Sequence, residues 1–287
     1  MAQFEVIAEG LAFPEGPVVM ADGSVIVVEA IGGRITRCWP GRKETVCAIG
    51  DGPNGAAIGP DGALYICNNG GIGPEHYGRT NRIGRIERVD LATGKFERLY
   101  DACNGQPLSA PNDLMFDSEG QIWFTDMGRL EVNGKQYGGL YCARPDGSRI
   151  TQVIGGALSY NGVGISPDMA TVYVADTFSA RVYAFERRAA AQRPRLLATV
   201  PGQVSLDSLA MSAAGNVCVA TIGAQGGAIS TVTPQGQVAA IPTLDQVTTN
   251  IAFGGADMRD AWITFSMKGQ LVKTRWAEPG MRLVYNA

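Results

Sequence analysis

The tightest constraint on this chain is a short plan that recurs six times. The segments are FPEGPVVMADGSVIVVE from Phe13, GPNGAAIGPDGALYICN from Gly52, APNDLMFDSEGQIWFTD from Ala110, SYNGVGISPDMATVYVAD from Ser159, SLDSLAMSAAGNVCVAT from Ser205 and TTNIAFGGADMRDAWITF from Thr248. The shared plan is polar residue, small residue, apolar alternation, Asp/Gly turn, apolar strand. Alternation with period two around a tight turn specifies two antiparallel strands joined by a hairpin. The polar residue marks the register: Glu15, Asn54, Asn112, Asn161, Asp207 and Asn250, spaced by 39, 58, 49, 46 and 43 residues. That spacing suits one four-stranded propeller blade plus its loops. The expected fold is therefore all-β, a six-bladed β-propeller with four-stranded antiparallel blades around a central channel, one domain over residues 1–287. A ring left unfastened would expose an edge strand. The N-terminal run FEVIAEG (4–10) and the C-terminal GQLVKTRW and MRLVYNA are expected to share one blade, with the N-terminal strand on its outer edge.

Composition agrees with this plan. Glycine supplies 38 of 287 residues, about twice the usual share, and it punctuates strands rich in Val, Ile, Tyr and Trp. The one stretch with helical character, ERRAAAQRPR at 186–195, is broken by Pro194, and its charges are expected on a solvated outer loop. A net charge of −3 argues against a nucleic-acid surface. No run of 18 apolar residues occurs, so no membrane-spanning helix is expected. The start MAQFEVIAEG lacks the basic and apolar regions of a secretory signal, and the scattered cysteines make the cytoplasm the default location. Six cysteines are scattered without a CxxC pair, so they read as small buried hydrophobes in a reducing compartment. A single histidine, His76, rules out a His–His dyad or a multi-histidine metal site, and any Ser–His–Asp triad would have to use it.

In a propeller the first strand of each blade lines the channel, so the six register residues are expected to converge at one end of it. An isolated Asn or Asp before a turn commonly bonds its own backbone. Six polar residues in one register, none of them apolar, basic, thiol or imidazole, form a different kind of pattern. Two carboxylates among four amides repel unless a positive charge sits between them. Oxygen ligands of this hardness suit Ca²⁺, Mg²⁺ or Mn²⁺, which would make Glu15 a metal ligand. Asn54, Asn112 and Asn250 are candidates for substrate contact. So are Asn69 and His76, from the long irregular stretch 68–84 that is expected to loop over one face. Asp113, next to Asn112, is expected to point the other way and to be structural. Trp123 and Trp262 are expected in the core.

The motifs FPEGPV, PNDLMFDSEGQIWFTD, YNGVGISPD, LDSLAMSAAGNVCVA and NIAFGGADM together resemble the SMP-30/gluconolactonase/luciferin-regenerating-enzyme family of six-bladed propellers, over nearly the whole chain. The resemblance implies a hydrolase that opens a lactone with one divalent cation in the channel, Ca²⁺ first, with Mg²⁺, Mn²⁺ and Zn²⁺ as alternatives. It implies that Glu15, Asn161 and Asp207 ligate the cation, with Asn112 as a further ligand or a substrate contact. Two departures stand out. Sugar-lactonase members often carry an Arg where this chain has Ala110, and phosphotriester hydrolases of this shape carry channel histidines that this chain lacks. For lactone hydrolysis, Asp207 is the first candidate to take the proton of the attacking water, and bound water of lowered pKa is the other. A metal-dependent lyase or other ring-opening enzyme on the same scaffold stays open. A non-enzymatic cation-binding or docking propeller is a third reading, less suited to acid groups inside the channel. The expected partner is a small-molecule substrate, with no nucleic acid, no membrane and a monomeric chain.

Overall fold

Alternation punctuated by Asp/Gly turns becomes strand throughout. The computed structural model describes residues 3–71, 83–131, 134–189 and 193–285, and none of these is helical. No helix among them is long and apolar enough to cross a membrane. The strands build six four-stranded antiparallel sheets, each in sequential order but for the last, which borrows the N-terminal strand. Their first strands are Pro14–Val19, Pro53–Ile58, Pro111–Phe116, Tyr160–Ile165, Val204–Met211 and Thr248–Gly254. Each packs on the next, and the sixth packs on the first. The result is a closed six-bladed propeller with these strands innermost.

Closure follows the expected route for one half of the C-terminus and departs from it for the other. Glu5–Ala8 forms the outer edge of the sixth blade, beside Gln270–Arg275, with Glu5 opposite Lys273 and Val6 opposite Val272. The described part of MRLVYNA, residues 281–285, does not join that blade. Pro279 and Gly280 end the strand pattern, and the chain turns back under the ring. There the Met281 N–H donates to the Met211 carbonyl at 2.8 Å. Met281, Leu283, Val284 and Tyr285 then line the far end of an axial cavity of about 90 Å³. Apolar side chains at the foot of an apolar channel gain more from covering it than from extending a solvated edge.

Period two decides the core. Within the strand Ile122–Asp126, Phe124 packs toward Tyr65 and Cys67 of the second blade. Trp123, its neighbour in sequence, packs toward Val172 and Val174 of the fourth. Both Trp123 and Trp262 are buried, as expected. All six cysteines are free. Burial pushes the Cys38 and Cys218 thiols up to about 12, which leaves them inert as nucleophiles.

The 186–195 run departs from the solvated loop expected of it. Arg188 is exposed, but the Arg187 side chain is buried. Its Nη1 donates to Asp117 Oδ2 at 2.9 Å and its Nε to the Met169 carbonyl at 2.7 Å, tying the third blade to the fourth. Asp117 is itself inaccessible and also accepts from Trp123 Nε1 at 3.0 Å. Removing one partner strands the other charge in a dry site. Arg187→Ala is therefore expected to lower the unfolding free energy by about 3–5 kcal/mol, read as a fall in urea midpoint, while Arg188→Ala leaves it nearly unchanged.

Candidate metal centre and active site

At the mouth end of every innermost strand the ladder slips by one residue. In the third blade Pro111 faces Asp126 and Leu114 faces Phe124, so Asn112 and Asp113 together oppose Thr125. A bulge of this kind re-aims side chains, and here it recurs at or beside each register residue, just after Glu15 and just before Asn250. The innermost strands also crowd there. A Cβ on Gly55 would lie 2.5 Å from Asp113 Cα, and one on Gly162 2.7 Å from the Asp207 carbonyl. At Gly55 and Gly162 the missing side chain is thus a condition for bringing neighbouring innermost strands together.

All six register residues are buried, between 1% and 9% exposed. Their hydrogen bonds divide them into two groups. The Asn250 amide donates to Glu15 Oε2 at 3.1 Å, and its own Oδ1 accepts the Ile251 N–H at 2.8 Å. Asn250 is thereby spent on positioning Glu15, which also accepts the Gly16 N–H at 3.1 Å. Asn54, Asn112 and Asn161 are different: among the described residues, each leaves a buried Oδ1 with no hydrogen-bond partner. An unmet buried acceptor costs about 1–3 kcal/mol, so three on one ring need a reason.

The charges need one too. Burial raises Glu15 to about 7, against the pull of its bonds to Asn250 and Gly16. Burial, then the charge of Glu15, raises Asp113 to about 7 and lifts Asp207 well above the usual carboxylate range. Among the described residues, no basic side chain is a main cause of any of the three shifts. Among the described residues no three His, Cys, Asp or Glu side chains could hold a metal by themselves. A cation site here must draw on amide oxygens, and the unmet oxygens of Asn54, Asn112 and Asn161 with the carboxylates of Glu15 and Asp207 form a donor set of the hard type that Ca²⁺ and Mg²⁺ take. Asp113 shares the bulge with Asn112 and lines the axial cavity below the ring.

Asn112 also borders a cleft of about 270 Å³ at the mouth, together with Asn69, Ala110, Met127, Arg129 and Phe178. Asn69 Oδ1 accepts the Gly71 N–H at 2.9 Å. Arg129 opens the short hairpin Arg129–Glu131/Gly134–Gln136. Its Nη2 donates to the carbonyls of Asn69 and of Ser109, the latter at 3.0 Å. His76 and the rest of 72–82 lie outside the described residues.

The description "SMP-30/Gluconolactonase/LRE-like region" belongs to the family profile that matches residues 13–267. The chain belongs to the SMP-30/gluconolactonase/LRE-like family. It is 27% identical to a gluconolactonase of Zymomonas mobilis subsp. mobilis over 195 residues, covering 60% of this chain and 51% of that protein. Over 253 residues it is 30% identical to lactonohydrolase oryL of Aspergillus oryzae, covering 77% and 56%. The chain spans about half the length of the curated relatives it matches. Among solved structures, the calcium-binding protein regucalcin of Agrobacterium tumefaciens shares the fold, with a TM-score of 0.77 at 20% identity and 98% coverage of both chains.

In this SMP-30/gluconolactonase/LRE-like chain a second register supports the first, and reading the repeats for their polar residue alone passes over it. The last residue of the second strand pins the chain as it enters the first. Glu29 accepts the Ala12 N–H at 2.6 Å, Asn68 the Gly52 N–H at 3.1 Å, and Asp126 the N–H groups of Ser109 and Ala110 at 2.7 and 2.8 Å. The endings VVE, ICN and FTD carry that signal in the sequence. Met127, Arg129 and Phe178 carry none, because ring closure alone gathers them. Asp126→Ala is expected to weaken cation affinity by about 10–100-fold through misplacement of Asn112, measured by calorimetric titration.

Proposed function

We propose that the protein is a metal-dependent hydrolase that opens a lactone. The observation that carries this is the set of three unpartnered amide oxygens beside two buried carboxylates on one axis. The names of its relatives, a gluconolactonase and a lactonohydrolase, supply the substrate class. A structural neighbour described as calcium-binding favours Ca²⁺, with Mg²⁺, Mn²⁺ and Zn²⁺ to be compared. Glu15, Asn112, Asn161 and Asp207 would hold the cation, and Asn54 offers the same free oxygen. When bound, such a cation polarises a carbonyl and stabilises the oxyanion that develops on attack by water.

The remaining work belongs to the chain. Asn250 and the Gly16 N–H orient Glu15. Asn112, shared by ring and cleft, orients the lactone. Asp207 takes the proton of the attacking water and returns one to the departing ring oxygen. Asp113, under the ring, holds negative charge close to the axis without joining the donors. Free thiols on all six cysteines favour a reducing compartment, and we place the protein in the cytoplasm as a monomer.

The test is proton release from glucono-δ-lactone and from simple γ- and δ-lactones by chelator-stripped protein, before and after each cation is restored. We expect no activity when stripped and recovery with one cation above the others. Tight cation binding without opening of any lactone would transfer the site to a different chemistry, and no binding at all would remove it.

A further inference from the structure

The cleft beside Asn112 is built for carbon. Its walls are Met127, Leu130, Leu158 and Phe178, and Ala110 lies at the approach to Asn112. Leu130 and Phe178 stand 57% and 58% exposed at its edge. Large apolar side chains left open to water beside a buried polar site mark a ligand groove more often than idle surface.

Among the described lining residues, polar groups are few and largely committed. Asn69 Oδ1 is taken by the Gly71 N–H. Arg129, the one charged side chain among the described lining residues, has its Nη2 on two backbone carbonyls. Burial raises the Asp126 carboxyl and the Arg129 charge opposes that rise; through its two carbonyl bonds Arg129 braces the wall between the second and third blades. A polyhydroxylated ring would have to give up water at each hydroxyl, and a mostly apolar wall returns little for it.

We infer that the substrate is a lactone carrying an extended apolar substituent, an alkyl chain or an aryl ring. The lactone carbonyl faces the axial ring, and the substituent lies along Met127, Leu158, Leu130 and Phe178. This rests on the lactone-hydrolase reading and adds the substrate class to it. Asn112 joins the two halves. It lines the cleft and also contributes one of the unmet axial oxygens.

The experiment measures kcat/KM of the cation-loaded protein on γ-lactones whose γ-substituent grows from methyl to hexyl, with glucono-δ-lactone alongside. Burial of each methylene is expected to raise kcat/KM about fourfold until the cleft is filled. Phe178→Ser and Leu130→Ser, both at exposed positions that folding tolerates, are expected to cut the rise to about twofold per methylene or less. The matching γ-alkyl lactams, which resist hydrolysis, are titrated calorimetrically and are expected to show the same chain-length slope in affinity. A flat series, or a preference for glucono-δ-lactone or for a carboxylate-bearing lactone, would overturn the apolar assignment and leave lactone hydrolysis standing. If no lactone is opened with any cation, the hydrolase reading falls. The lactam slope then decides the cleft alone: a slope upholds the apolar assignment and its absence overturns it.

Discussion

Glu15→Gln and Asp207→Asn are each expected to abolish calorimetric cation binding and, with it, to cost about 10³-fold or more of lactone kcat/KM. Each substitution keeps size and removes one of the two negative charges on the ring. The remaining donors are then one carboxylate and neutral amides, too little charge to offset dehydration of a divalent ion. Transition-state charge stabilisation by a cation is worth several kcal/mol, and each 1.36 kcal/mol is tenfold in rate, which sets the magnitude. Asn54→Ala is the informative comparison. Its amide oxygen has no partner, so its loss leaves no orphan and reads its contribution to the cation directly. Full activity in either carboxylate variant would sink the axial centre.

The second large effect appears in the cation-free protein. Folding brings Glu15 and Asp113 from ordinary values of 4.5 and 3.8 to about 7. Folded values above the unfolded ones mean that stability is full below about pH 4 and falls as the pH rises through about 7. At pH 8 each group then costs on the order of 3 kcal/mol. The chelator-stripped protein is expected to lose thermal midpoint steadily between pH 5 and pH 8, and saturating cation to restore it. Asp113→Asn should remove much of that loss and raise the midpoint of the stripped protein at pH 8. Because Asp113 lies under the ring, the same variant should weaken cation affinity only about tenfold. A stripped protein whose midpoint holds level from pH 5 to pH 8 would refute this account of the buried charges.

The expected ring was legible because a propeller repeats local information. Alternation, turn and polar residue recur in each of the six segments, and each hairpin can be read within about 17 residues. The closing strand was legible because only an edge partner satisfies Glu5–Ala8. The C-terminal MRLVYNA was misread because its apolar residues serve equally for an edge strand or a plug, and only the cavity beneath the ring distinguishes them. The charge run was misread because Arg187 and Arg188 look alike until one meets Asp117 across a blade interface.

The sequence alone predicts six polar register residues on the innermost strands, two of them carboxylates, and the structure buries all six. The tertiary structure decided which of them remain free to bind anything. Asn54 and Asn250 occupy the same register and look alike in the repeat. Asn250 spends its amide on Glu15, 235 residues away, whereas Asn54 keeps an unmet oxygen. Hydrogen-bonding capacity is consumed by neighbours in space, and in a closed ring those neighbours come from adjacent blades some 40 to 60 residues apart, or from opposite ends of the chain.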